Sequence, residues 1–272
     1  MKRLHLIEIE DQEWCPRAIR DALTDFLQFN LARMQPYAAM SPILAAALER
    51  TGSHRIVDLC SGGGGPWLWL HPLLARKGLS TSVCLTDKYP NLEAFEKWSR
   101  MTDQAIGFHA GSVDATRVPD ELVGFRTMFT AFHHFKPEHA SAVLADAVRH
   151  RRSIGVFEAT HRSALALLLM LSTPLVVLLC TPFIRPFRWS RLLWTYLVPV
   201  LPLVILFDGL VSCLRSYSVV ELRELTEGLK TNDYHWEIGT VQNKWVPIPV
   251  TYLVGMPGPV RKPALGPKER DV

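Results

Sequence analysis

Cysteine is scarce in this sequence and its few copies stand apart. Cys15, Cys60, Cys84, Cys180 and Cys213 are odd in number and widely separated, with no Cys-x-x-Cys pair and no histidine at ligand spacing. A disulfide framework and a zinc knuckle are thereby excluded, and a reducing compartment with no metal site is the expectation. Charge of one sign is also in short supply. The net +4 arises from 30 Lys and Arg against 26 Asp and Glu scattered along the chain, with no basic segment interleaved with aromatics, so nucleic acid is not an expected partner. Residues 1–14 turn acidic before any apolar run develops and lack the continuous apolar core of a secretory leader, so the catalytic part is expected in the cytoplasm. No Gly-x-Ser-x-Gly nucleophile turn and no paired-carboxylate glycosidase pattern is present.

Apolar material is plentiful: 48% of 272 residues are hydrophobic and 21% charged, enough for one large domain with an insertion. Apolar positions at helical spacing fill residues 14–50, including Ile19, Leu23, Phe26 and Leu27, so two or three helices precede the first strand. Short apolar runs at 55–60, 82–87, 125–131 and 153–158 then alternate with helical stretches, the pattern of an α/β fold with a doubly wound parallel sheet. Ser218 with Glu221 three residues on predicts a capped helix, and strand-like runs follow at 236–241 and 249–254. The organisation expected is a helical cap over 1–50, a cofactor-binding core over 51–162, an apolar insertion over 163–210, the rest of the core over 211–256, and a disordered tail over 257–272, with the Pro- and Gly-rich composition beginning at Gly255.

The sharpest local feature is Val57-Asp-Leu-Cys-Ser-Gly-Gly-Gly-Gly-Pro66, which follows an expected strand and opens a helix. Glycines there let the backbone turn tightly and a ligand lie against its amides, whereas an ordinary flexible loop is the plainer alternative. No Lys-Ser or Lys-Thr pair follows, which disfavours a triphosphate-binding loop. Asp87, at the end of the second strand, stands where a carboxylate meets ribose hydroxyls, although capping the turn through Asn91 would also account for it. Asp114 suits an adenine amine or an Asx turn equally well.

In this order, and over roughly residues 50–160, these segments resemble the class I S-adenosylmethionine-dependent methyltransferases. The resemblance implies a mostly parallel seven-stranded Rossmann-like sheet, S-adenosylmethionine as cofactor and methyl transfer as activity. In that family an acid precedes a Gly-x-Gly-x-Gly turn; here Asp58 is followed by Cys60, Ser61, Gly62, Gly63 and Gly64, with Cys60 replacing the first glycine. By the same resemblance Asp87, beside Lys88, would bind the ribose, Asp114 and Ala115 would flank the adenine, and Thr130 to His134, Phe132 included, would pass the methionine part.

Methyl transfer asks mainly that the acceptor be held in line with the sulfonium, and a base is needed only where the acceptor loses a proton. His133 and His134, where the fourth strand meets the cleft, are the candidates for that base, with local packing as the alternative; Glu158 and Asp208 rank behind them. The insertion carries no charge from Ser163 to Ile184 nor from Leu192 to Phe207, with Arg185, Arg188 and Arg191 between. Both its ends return to one domain, so a re-entrant or interfacial hairpin with the arginines and Trp189 among lipid headgroups is expected over 163–207, at the inner face of a membrane. A buried helical pair or a homodimer face is the alternative. The function expected is methylation of a lipophilic small molecule or lipid; a non-catalytic membrane-anchored cofactor-binding scaffold and a nicotinamide-dependent oxidoreductase are the competing readings.

Overall fold

The computed structural model describes residues 1–229, 231, 233–242 and 247–258. Its centre is a seven-stranded sheet of order β3-β2-β1-β4-β5-β7-β6, made of β1 (Arg55–Asp58), β2 (Ser82–Leu85), β3 (Ile106–Phe108), β4 (Phe125–Phe129), β5 (Ile154–Glu158), β6 (Tyr234–Gln242) and β7 (Pro249–Pro257). β1 to β5 run parallel, and β7 lies antiparallel between β5 and β6. Successive strand residues face opposite sides, so Ile56 enters one apolar layer and Val57 the other. On the first side lie α2 (Ser41–Thr51), α3 (Trp67–Ala75) and α4 (Leu92–Met101), with Leu44, Leu48, Trp67 and Phe95 buried. On the other side lie α5 (Pro137–Arg149) and α10 (Val219–Glu227), the latter opened by the expected capping box of Ser218 and Glu221. Strand order reverses between β1 and β4, the point at which open α/β sheets bind ligands beyond their carboxyl ends.

The helical cap is helical only in part. Residues 1–16 form a non-helical strap, and the helix α1 (Arg17–Met34) begins after it. The insertion breaks into α6 (Ala164–Met170), α7 (Thr173–Cys180), α8 (Trp189–Leu192) and α9 (Val200–Arg215). It packs on α1: Ile19, Leu23 and Phe26 share a buried cluster with Val177, Leu201 and Ile205. α9 runs on through Arg215, past the expected boundary at 210.

Three expectations differ from the structure. β3 has only three residues around Gly107 and left no readable apolar run. Gly255 to Pro257 belong to β7 and not to a tail; a Cβ on Gly255 would stand 2.7 Å from the Tyr234 ring, so this glycine admits aromatics from the neighbouring strand. The remainder of that tail, 259–272, lies outside the described residues. Finally, Arg191 is not at a headgroup level. It is buried, ion-paired with Asp25 and donates to Ile184 O at 3.1 Å, while Arg188 lies 3.6 Å from Asp25; Arg185 alone of the three stays exposed and without an ion pair among the described residues.

Candidate functional site

The glycine turn leaves β1 through Cys60, Gly62, Gly64 and Gly65, all with positive φ, at 55°, 52°, 110° and 58°. Asp58 braces this turn from below. Its carboxylate accepts from Ser61 Oγ at 2.7 Å and Thr127 Oγ1 at 2.6 Å, tying β1 to β4, and burial pushes it up to about 7. Asp58 is therefore directed into the turn and not outward to a ligand. Cys60 takes the left-handed conformation that the glycine it replaces would adopt freely. Burial drives its thiol upward, which leaves it no nucleophile.

Above the turn, Trp98 of α4 donates to Gly63 O at 2.6 Å, and a Cβ on Gly63 would meet Thr24 of α1 at 2.8 Å. Two helices thus close on the glycines, and close approach is the reason these residues lack side chains. Asp87 accepts from Gly62 N–H at 2.9 Å and Tyr89 N–H at 2.8 Å, so it both joins the turn and caps the next one. Asp114 accepts from Thr116 N–H and Oγ1, at 2.9 and 2.6 Å, and stands 3.3 Å from Lys88 Nζ. Those hydrogen bonds, with Lys88, hold its carboxyl below the usual range. Ala115 is buried beside Val113. The carboxyl edges of β1, β2 and β3 so bring Gly62, Asp87, Lys88 and Asp114 to one rim.

On the β4 side, Thr130 sits at φ 43°, accepts from Ala159 N–H at 3.1 Å and is hydrogen-bonded to Tyr37 Oη. Phe132 is buried against Tyr217. Glu158 is consumed locally: Oε1 accepts from Ala131 and Phe132 N–H at 3.0 and 2.8 Å, and Oε2 stands 2.7 Å from His133 Nδ1. Burial raises its carboxyl, but His133 and the Phe132 amide outweigh that and leave it lowered.

The histidines depart from their expected role as bases open to the cleft. The strap covers His133 and pairs with His134: His133 is 1% exposed with Glu8 Oε1 3.7 Å from Nε2, and the partly exposed His134 has its Nδ1 2.9 Å from Glu8 Oε2 and 3.0 Å from Asp11 Oδ2. Asp208, also considered as a base, accepts from Ile9 and Glu10 N–H at 2.7 and 3.1 Å and holds the strap down. Ser212 Oγ donates to Glu8 at 2.8 Å, and Arg215 Nη1 reaches Glu8 and Asp11 at 3.0 and 3.2 Å. Glu8, Asp11, Ser212 and Arg215 were not singled out from sequence. Glu8 and Asp11 carry no local motif; Asp208, Ser212 and Arg215, at i, i+4 and i+7, do mark a polar face on an otherwise apolar helix.

No protein-family model and no curated protein sequence matches the chain. Its backbone does match solved structures. The plantazolicin methyltransferase BpumL in complex with SAH aligns over 92% of this chain and 95% of its own, with a TM-score of 0.56 at 10% identity. The CMeT domain of citrinin polyketide synthase aligns over 93% of this chain and 60% of its own, with a TM-score of 0.54 at 13% identity. The chain has the class I methyltransferase fold. Within it, the glycine turn, Asp87 and Asp114 occupy the carboxyl edge of the sheet. A cavity of roughly 510 Å³ at the opposite, amino edge, between Arg50, Gly124, Arg152 and His235, touches none of these residues and is set aside as the ligand site.

Proposed function

We propose that this chain is an S-adenosylmethionine-dependent methyltransferase acting on a lipophilic small molecule or lipid at the cytoplasmic face of a membrane. The observation carrying the reading is the rim formed by the Gly62 to Gly65 turn, Asp87 and Asp114 at the switch point of a methyltransferase fold. Asp87, braced by the Gly62 amide, supplies acceptors for two ribose hydroxyls, and Asp114 with the buried Ala115 borders the adenine. Thr130, fixed by Tyr37 and Ala159, shapes the approach to the methionine part. The antiparallel β7 between β5 and β6 favours this assignment over a nicotinamide-dependent oxidoreductase. BpumL was solved with SAH, the product such a transfer leaves. Because the S–CH3 bond breaks to leave a neutral thioether, the protein's main contribution is placement of the acceptor, and a base is needed only where that acceptor loses a proton.

The membrane part of the proposal rests on the insertion. Residues Ala164–Phe183 form a helical run of 20 residues with only 17% of its most apolar window buried, long enough by length and composition to cross a bilayer. Trp189–Leu197 and Val200–Arg215 meet at 80°. Leu168, Leu175, Leu179, Phe183, Trp189 and Leu197 are each at least 59% exposed. An exposed apolar face of this extent, beside the carboxyl edge of the sheet, fits a hairpin dipping into one leaflet and guiding an apolar acceptor to the cleft.

Titration calorimetry of the detergent-supported protein with S-adenosylmethionine and its demethylated product tests the central assignment. Saturable binding is expected, weakened about ten- to a hundredfold by Asp87→Ala through loss of charge-assisted hydrogen bonds. A folded protein that binds neither compound overturns it.

A further inference from the structure

The strap brings Glu8 and Asp11 against the two histidines that follow β4, and the resulting geometry is that of an ion site. Glu158 accepts two backbone N–H bonds and is a carboxylate, so its 2.7 Å contact with His133 places the proton on Nδ1. In the neutral ring Nε2 then carries a lone pair. That atom is buried, has no hydrogen-bond partner among the described residues, and faces the Glu8 carboxylate at 3.7 Å. Two acceptors aimed at one another in a dry interior repel unless a second ring proton or an added cation lies between them.

We propose that Glu8, His133 and His134, with Asp11 completing the set, bind a divalent cation of the zinc type that staples the N-terminal strap onto the carboxyl edge of the sheet. The ligand atoms of Glu8, His133 and His134 already lie within 4.8 Å of one another. A tetrahedral zinc site with arms near 2.1 Å has edges of about 3.4 Å. The 3.7 Å gap from Glu8 Oε1 to His133 Nε2 is close to that value, and Glu8 Oε2, 2.9 Å from His134 Nδ1, presently stands at hydrogen-bond distance from the second ring.

The surrounding residues are arranged as such a site requires. A metal-binding histidine generally donates its other N–H to a carboxylate, and binding carboxylates are themselves hydrogen-bonded. Here Glu158 orients His133, Ser212 donates to Glu8 Oε1, and Arg215 supports Glu8 Oε2 and Asp11 Oδ2. Three carboxylates, Glu8, Asp11 and Glu158, surround one guanidinium and two imidazoles, a donor set that a cation can enter by displacing ring protons. With Asp11 as fourth ligand the set is closed, which is the pattern of a structural site rather than a catalytic one. His134 and Asp11 retain 27% and 38% side-chain exposure and give the ion a way in.

This inference stands apart from the methyl-transfer reading, and its test uses no cofactor. The full chain in detergent is stripped with a chelator and titrated with Zn²⁺ alone by calorimetry, with thermal melting alongside. One equivalent per chain is expected, with a melting temperature that rises with the metal. Stoichiometric uptake and the metal-dependent rise are both lost in Glu8→Gln and in His133→Gln, whereas Glu158→Gln weakens uptake ten- to a hundredfold. His150→Ala, at a surface contact 3.1 Å from Asp120, leaves uptake unchanged. Co²⁺ in place of Zn²⁺ should show the visible absorption of a four-coordinate ion in the wild type and in His150→Ala, and not in Glu8→Gln or His133→Gln. A variant is scored only if it melts cooperatively without metal, Glu8→Gln being nearly isosteric. A folded wild type that takes up no stoichiometric zinc, or uptake that survives both Glu8→Gln and His133→Gln, overturns the site.

Discussion

Asp58 illustrates how far a single buried acid can be moved by its surroundings. Its side-chain partners Ser61 and Thr127 are hydroxyls, and burial, joined by the nearby Asp87, pushes it up to about 7. The folded chain therefore holds this proton more tightly than the unfolded chain, whose acid titrates near its ordinary value. The stabilisation is complete below that ordinary value and is lost as pH rises through about 7. Between about pH 4 and 7 the wild type should lose stability relative to Asp58→Asn, with a slope of up to about 1.4 kcal/mol per pH unit. Urea melts across that range measure it, and parallel profiles for the two proteins would dismiss the argument. Gly64 is constrained differently, by a φ of 110° and by the Trp98 indole lying where a Cβ would go. Gly64→Ala is expected to cost about 1–3 kcal/mol in backbone strain, and roughly 1 kcal/mol more if Trp98 releases its bond to Gly63. The urea midpoint should fall with the slope unchanged.

At the scale of elements, α9 and the strap behave as one unit. Asp208 holds the N–H groups of Ile9 and Glu10, and Leu4 N–H donates to Leu214 O at 3.1 Å. Asp208→Ala strands two donors, each worth roughly 1–3 kcal/mol when left unsatisfied. Amide exchange at Ile9 and Glu10 should accelerate at least tenfold, while exchange in β4 and β5 stays put; equal acceleration everywhere would mean global destabilisation instead. The same unit marks the limit of what could be read from the sequence. β1, β2, β4 and β5 were legible because strands covered on both faces are nearly continuous apolar runs. The capping box of α10 and the glycine turn were legible because their partners are a few residues away. β3 was not, having three residues and a glycine at its centre. Glu8 and Asp11 were invisible because only the folded chain brings them to His133 and His134, and the histidines were read as open bases since nothing local announces the strap above them.

At the scale of the whole molecule, the insertion is held at both ends and along its inner side. β5 feeds it, α9 returns from it with Asp208 and Arg215 fixed to the strap, and Val177, Leu201 and Ile205 pack on α1. The apolar return stretch runs from Leu192 to Phe207, about 24 Å of helix even if straight and less with the 80° bend between Trp189–Leu197 and Val200–Arg215, short of the roughly 30 Å of a bilayer core. The bent return pass favours the proposed dip into one leaflet over a spanning hairpin. Leu168→Glu with Leu175→Glu should reduce binding to anionic vesicles at least a hundredfold, since each lost leucine removes about 1.5–3 kcal/mol of burial, while cofactor titration remains as in the wild type. Depth is decided at Arg185, exposed at the far turn of the hairpin. With Arg185→Cys bound to sealed vesicles, a membrane-impermeant maleimide added outside should label position 185 above the wild-type background, because a dipping hairpin brings its arginine back to the surface it entered. Protection of that cysteine until the vesicles are opened would mean that the turn lies across the bilayer, and α9 would then have to release Asp208 and Arg215 from the strap to complete the return.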